Sequence, residues 1–205
     1  MLYFIGWSIF FIFIKFYLGL KVVGRKNVPK KGAFIFVSNH VSYLDPIILG
    51  TSVYRSLNYM ARENLFSTPR MAWAMRGVHA FPVKRSKGDL KAIKQALAIL
   101  KENKPLVIFP EGTRSKDKNL KRGKPGVGFI VSKAKVPVVP AYIEGSFDAL
   151  PRNVKTLKRR PIKIYIGEPI KFDTVTTAKR DKEIYQKISD EVMDRIAALK
   201  EKAGR

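Results

Sequence analysis

A chain of 205 residues that is 46% hydrophobic is long enough to bury one core and too apolar to be disordered. Lysine and arginine number 40 against 16 aspartates and glutamates; the resulting formal charge of +24 calls for an anionic partner such as nucleic acid, a membrane surface or a phosphorylated substrate. The absence of cysteine excludes disulfides, thiol nucleophiles and thiolate metal sites, and two histidines, His40 and His79, are too few for a His-rich metal centre.

The first segment, "MLYFIGWSIFFIFIKFYLGL", is apolar and aromatic with one charge, Lys15. At about 1.5 Å per residue such a helix just reaches across the hydrocarbon core of a bilayer. It lacks a basic leader and a small-residue cleavage site, so it does not read as a cleaved signal peptide. Tyr3, Trp7 and Tyr17 suit a membrane interface, and Lys21, Arg25 and Lys26 behind them place the rest of the chain on the cytoplasmic side. The expectation is a membrane-embedded anchor over 1–24, in one leaflet or across both, followed by an α/β domain over 25–205. A buried core helix is the alternative.

Short apolar runs then alternate with amphipathic stretches. "AFIFV" (33–37) reads as a buried strand. Asp45 followed by Pro46 opens a helix over "PIILGTSVYR", with an acidic N-cap and proline at the first helical position. "LNYMA" (57–61) is a strand candidate; Thr68 and Pro69 start a helix that Gly77 ends. "VHAFPV" (78–83) is another strand, with His79 read as a packed histidine. Leu90, Ile93, Leu97 and Leu100 recur at helical spacing, "PLVIF" (105–109) is a short strand, and "PGVGFIVSKAK" is a helix weakened by its glycines. "VPVVPAYIE" (136–144) and "PIKIYIG" (161–167) are strands, the second at an edge. Ile184, Ile188, Val192, Ile196 and Leu199 mark a closing amphipathic helix. This order predicts an α/β fold with a mostly parallel central sheet flanked by helices, carrying the N-terminal membrane-embedded helical segment.

Ligands of open α/β sheets bind beyond the carboxyl ends of the strands. Three polar clusters follow strands here: His40 and Asp45, Lys84 and Arg85, and "PEGTRS" (110–115). Five residues along one helix is about 500° of rotation, so His40 and Asp45 share no helix face. They meet only if His40 sits in the loop and Asp45 at the helix start. The carboxylate would then hold one imidazole tautomer and leave the other ring nitrogen as a base. The same aspartate reads equally as a plain helix cap. No G-x-S-x-G elbow is present, so a base at His40 would act on a hydroxyl of the substrate. In "FPEGTRS", Arg114 suits bidentate phosphate binding, Gly112 permits close backbone approach, and Glu111 can orient Arg114 or bond a hydroxyl. The lysines of "KDKNLKRGK" read as a solvated loop.

These residues resemble the glycerolipid acyltransferase family, the 1-acylglycerol-3-phosphate acyltransferases in particular. "NHVSYLD" is similar to its Asn-His-x4-Asp signature, "GVHAFPVKR" to its second block, "FPEGTRS" to its third and "VPVVPAYIEG" to its fourth; together they cover about residues 25–170. Lys84 stands beside Arg85 where the family often has an acidic residue. The resemblance implies acyl transfer from a thioester, on coenzyme A or acyl carrier protein, to the sn-2 hydroxyl of lysophosphatidic acid, giving phosphatidic acid. His40 and Asp45 would be catalytic, with Lys84, Arg85, Glu111, Gly112, Thr113 and Arg114 binding the glycerophosphate. No metal or prosthetic group is implied. The expected partners are an anionic phospholipid membrane and the two substrates, without nucleic acid, at the cytoplasmic face of the cell membrane. A related acyltransferase using glycerol 3-phosphate or another lysophospholipid is the near alternative. A non-catalytic basic binding protein is the distant one.

Overall fold

The computed structural model describes residues 2–84, 89–151, 154, 156–172 and 182–204. In chain order the helices are α1 (Leu2–Tyr17), α2 (Asp45–Ser52), α3 (Pro69–Gly77), α4 (Leu90–Lys101), α5 (Pro125–Ala134), α6 (Ser146–Ala149) and α7 (Lys182–Ala203). The strands are β1 (Lys21–Val23), β2 (Ile35–Ser38), β3 (Asn58–Arg62), β4 (Ala80–Val83), β5 (Leu106–Ile108), β6 (Val138–Glu144) and β7 (Lys163–Ile166). They form one sheet in the order β1-β7-β6-β2-β5-β3-β4. Strands β2 to β6 are mutually parallel, and β7 runs antiparallel to β6.

The continuous apolar runs follow from burial on both faces, as parallel strands under helices require. Phe34, Phe36, Val107 and Val139 face a core layer shared with α1 and α2. Ile35, Val37, Leu106, Ile108 and Val138 point the other way, onto α4, α5 and α7. Alternation at period two divides β2 between the two layers. Beside its neighbour β5, it ends in the middle of the sheet, where the polar loops begin.

The N-terminal segment differs from expectation. Helix α1 has 16 residues, and no helix among the described residues is long and apolar enough to cross a membrane. Sixteen residues span about 24 Å, short of a hydrocarbon core of about 30 Å. The run ends early because Gly19 takes a left-handed turn (φ 58°) that sends the chain into β1. The helix is not a membrane-embedded element appended to the fold: Ile14 and Leu18, 0% and 1% exposed, pack in the same core cluster as Ile48 and Leu49 of α2. Strand β7 is also not an edge, since β1 pairs with it in parallel through Lys21–Lys163 and Val22–Ile164. His79 precedes β4 in the left-handed region (φ 58°), its Nδ1 hydrogen-bonded to Ser56 Oγ at 2.8 Å.

If the end of α1 belongs to the core, Ile14→Ala should cost about 2–5 kcal/mol in chemical denaturation. Ile12→Ala, at a position 56% exposed, should change stability by less than about 0.5 kcal/mol.

Candidate active site

The loop after β2 turns Asp45 back toward His40. Asp45 Oδ2 accepts from three donors: His40 Nδ1 at 2.8 Å, Val41 N–H at 2.7 Å and Ser42 N–H at 2.8 Å. Helix α2 begins at Asp45 with Leu44 in the cap position, and no side chain caps it. The carboxylate therefore serves the preceding loop rather than the helix N–H groups, and Pro46 stiffens the first turn. Asp45 is fully buried. With two backbone donors already on Oδ2, the oxygen acts as an acceptor, so Nδ1 carries the proton and Nε2 keeps its lone pair.

The surrounding loop fixes this geometry from several directions. Ser42 Oγ donates to Leu150 O at 2.7 Å and receives Leu44 N–H at 3.1 Å, so its hydroxyl is committed to structure. Asn39 makes a two-way pairing with the Ile143 backbone on β6: Nδ2 donates to the carbonyl at 3.0 Å, and Oδ1 accepts the N–H at 2.8 Å. Phe109 stacks on the imidazole with centroids 4.0 Å apart and planes 17° from parallel, drying one face of the ring.

The loop after β5 clamps the His40 main chain. Glu111 Oε1 accepts His40 N–H at 3.1 Å, and Ser115 N–H donates to His40 O at 2.7 Å. Gly112 sits between them in the left-handed region (φ 69°). A Cβ there would come within 2.8 Å of Lys124 Cε, and Lys124 N–H donates to Pro110 O at 2.9 Å. The lysine loop thus folds back onto the "PEGT" turn at Lys124 instead of being wholly solvated.

Glu111 is 3% exposed. Burial raises its pKa from 4.5 to about 7, and the Asp45 charge adds to the shift; N–H groups of His40 and Lys121 and the Lys121 charge oppose it. Arg114 lies over the Tyr43 ring, its guanidinium carbon 3.3 Å from the centroid. Asp45 Oδ1, Glu111 Oε2 and Arg114 Nη1 are buried polar atoms without a hydrogen-bond partner.

His40, Asp45, Glu111, Gly112 and Arg114 come together because β2 and β5 are neighbours. Thr113, half-buried, lies in the same turn. Lys84 does not join them: it follows β4, two strands beyond β5 and about 10 Å away across the sheet, and its N–H donates to Asp89 Oδ2 at 2.7 Å. Arg85 lies outside the described residues. Sequence reasoning missed Asn39, Tyr43 and Phe109, whose partners are distant in the chain or carry no charge; only the position of Asn39 and Tyr43 inside "NHVSYLD" signalled them.

A family model described as Acyltransferase matches residues 19–144. The chain belongs to the acyltransferase family. Among its relatives is the 1-acyl-sn-glycerol-3-phosphate acyltransferase of Bacillus subtilis, 36% identical over 155 residues, 74% of each chain. The Saccharomyces cerevisiae protein of the same name is 29% identical over 197 residues, 93% of this chain and 64% of that one. The crystal structure of the 1-acyl-sn-glycerophosphate acyltransferase of Thermotoga maritima superimposes with a TM-score of 0.77 at 27% identity. That match covers 98% of this acyltransferase and 79% of the Thermotoga chain.

Because the fold favours protonated Glu111, its contribution to stability is fully present below 4.5 and falls as pH rises through about 7. Glu111→Gln keeps the acceptor for His40 N–H and cannot ionise. The unfolding free energy of the variant relative to the parent should therefore rise by on the order of 2 kcal/mol between pH 4 and pH 8. A difference that stays constant with pH would contradict this.

Proposed function

We propose that this acyltransferase moves a fatty acyl group from a thioester to the free sn-2 hydroxyl of lysophosphatidic acid, giving phosphatidic acid. The observation that carries the reading is the His40 Nδ1–Asp45 Oδ2 bond, which leaves Nε2 as a base beside an arginine with an unpartnered N–H. The names of the relatives agree with it.

Nε2 takes the proton of the acceptor hydroxyl as its oxygen attacks the thioester carbon. Asp45 stabilises the imidazolium that forms. The tetrahedral intermediate collapses by breaking the C–S bond, and the imidazolium returns its proton to the leaving thiolate. Arg114, stacked on Tyr43, holds the acceptor phosphate and so fixes the hydroxyl near His40. Glu111, Gly112 and Thr113 shape that phosphate site. The thioester, on coenzyme A or acyl carrier protein, is a co-substrate, and the chemistry calls for no cofactor. The charge of +24 suits work on an anionic bilayer at the cytoplasmic face, with attachment by charge rather than by a buried helix.

His40→Ala should lower kcat by about 10²–10⁴-fold with the fold intact by circular dichroism. Near parental turnover by the folded variant would remove His40 from the chemistry. Asp45→Asn should also lose activity, because an amide in place of the carboxylate weakens the hold on Nδ1–H and cannot offset the imidazolium charge.

The Tyr43–Arg114 stack predicts a separate kinetic pattern. Tyr43→Ala should raise the KM for lysophosphatidic acid about fivefold, the loss of a contact of about 1 kcal/mol, while Tyr43→Phe stays near the parent. The donor KM should be unchanged in both. An equal rise for donor and acceptor would mean that the ring acts only through the fold.

A further inference from the structure

Helix α3 is well started but poorly buried. Thr68 caps it by accepting Met71 N–H at 3.3 Å, and Pro69 occupies its first turn. Of its nine residues only Ala72 is buried. Trp73 is 64% exposed and Met71 41% exposed, and Leu65 in the preceding turn Glu63–Phe66 is 37% exposed. A surface helix of a soluble domain ordinarily turns its large apolar side chains inward. At 100° per residue, Met71 and Trp73 flank Arg70 on the side turned away from Ala72. Arg62, Arg70 and Arg76 give the segment three exposed cations against one carboxylate, Glu63.

The position of the segment matters as much as its composition. Strand β3 lies next to β5 and parallel to it, so α3 leaves the same carboxyl end of the sheet as the "PEGTR" turn. An exposed apolar surface beside the site of a chain that acts on a lipid has one natural occupant.

We infer that the Arg62–Arg76 segment is the surface by which this acyltransferase docks on the headgroup region of an anionic bilayer, presenting the strand-end site to its lipid acceptor. A tryptophan ring is amphipathic and settles at the headgroup level, with Met71 and Leu65 against the acyl chains beneath. The three arginines meet lipid phosphates, and their aliphatic stems lie along the apolar layer. An acidic carrier protein would match the arginines but not the bare Trp73 and Met71. A second copy of this chain would bring three more arginines against these.

The inference deepens the proposed function, and its test separates the two. Trp73 is one of two tryptophans, so Trp7→Phe leaves it as the sole reporter. With phosphatidylglycerol vesicles, Trp73 emission should shift to shorter wavelength and be quenched by lipids brominated in the acyl chain. Vesicles of phosphatidylcholine alone should produce far less of either. Trp73→Ser with Met71→Ser should lower partitioning onto the anionic vesicles about tenfold. Turnover of a short-chain, fully dissolved lysophosphatidic acid should be unchanged, which reads the acyltransferase chemistry independently of docking. Unshifted, unquenched Trp73 emission on protein that sediments with the vesicles would overturn the docking surface, and so would absence of binding. A parent that is a dimer in solution, with a monomeric double variant, would assign the patch to a second copy and overturn it as well.

Discussion

The peptide of His40 is held at both ends by one loop. Its N–H points at the Glu111 carboxylate and its carbonyl receives the Ser115 N–H, 71 and 75 positions further along the chain. That clamp makes the end of β2 and the end of β5 a single object. The imidazole is then oriented by Asp45 on one side and by the Phe109 ring on a face. Arg114 leaves the same turn one residue before the clamp closes, so its guanidinium and the His40 ring are referenced to one short piece of backbone. Positioning of this kind supplies much of what a two-substrate reaction needs, because it converts an encounter into a fixed geometry.

The arrangement has an electrostatic cost. Two buried carboxyl groups, Asp45 and Glu111, flank one histidine. Asp45 is compensated by three hydrogen bonds to one oxygen, whereas Glu111 has one oxygen on His40 N–H and the other without a partner. Burial moves the protonation of Glu111 into the neutral range. Glu111 is thus a site where foldedness and pH are linked, a linkage that follows from placing it where it holds the His40 peptide. Lys121 brings positive charge to the same carboxyl group and limits that cost.

Most of the sheet was legible in the sequence because five of its strands are apolar runs with clear punctuation. His40 and Asp45 were legible as a pair, but their relation was not. The spacing allowed a helix cap as readily as a catalytic contact, and the choice rests on where the carboxylate points, a matter of loop conformation. Strand β1 was hidden by being three residues long and joined to an aromatic run, and with it the interior place of β7. The same run suggested a membrane-embedded helix, since composition registers apolarity and not the packing of Ile14 and Leu18 on α2. Asn39 was hidden for another reason: its partner is the backbone of Ile143, 104 residues away, and backbone carries no sequence signal.

The central claim is that the base at His40 activates the acceptor's own hydroxyl and that no enzyme group is acylated on the way. Ser42, the hydroxyl beside the base in sequence, is tied to Leu150 and Leu44, and the chain has no thiol. Rapid-quench measurement of free thiol released from acyl-coenzyme A, with enzyme at substrate-like concentration and no acceptor, tests this most directly. The account predicts no burst, with thiol release beginning only when lysophosphatidic acid is added. A burst equal to the enzyme concentration, leaving the acyl group on the protein, would contradict it.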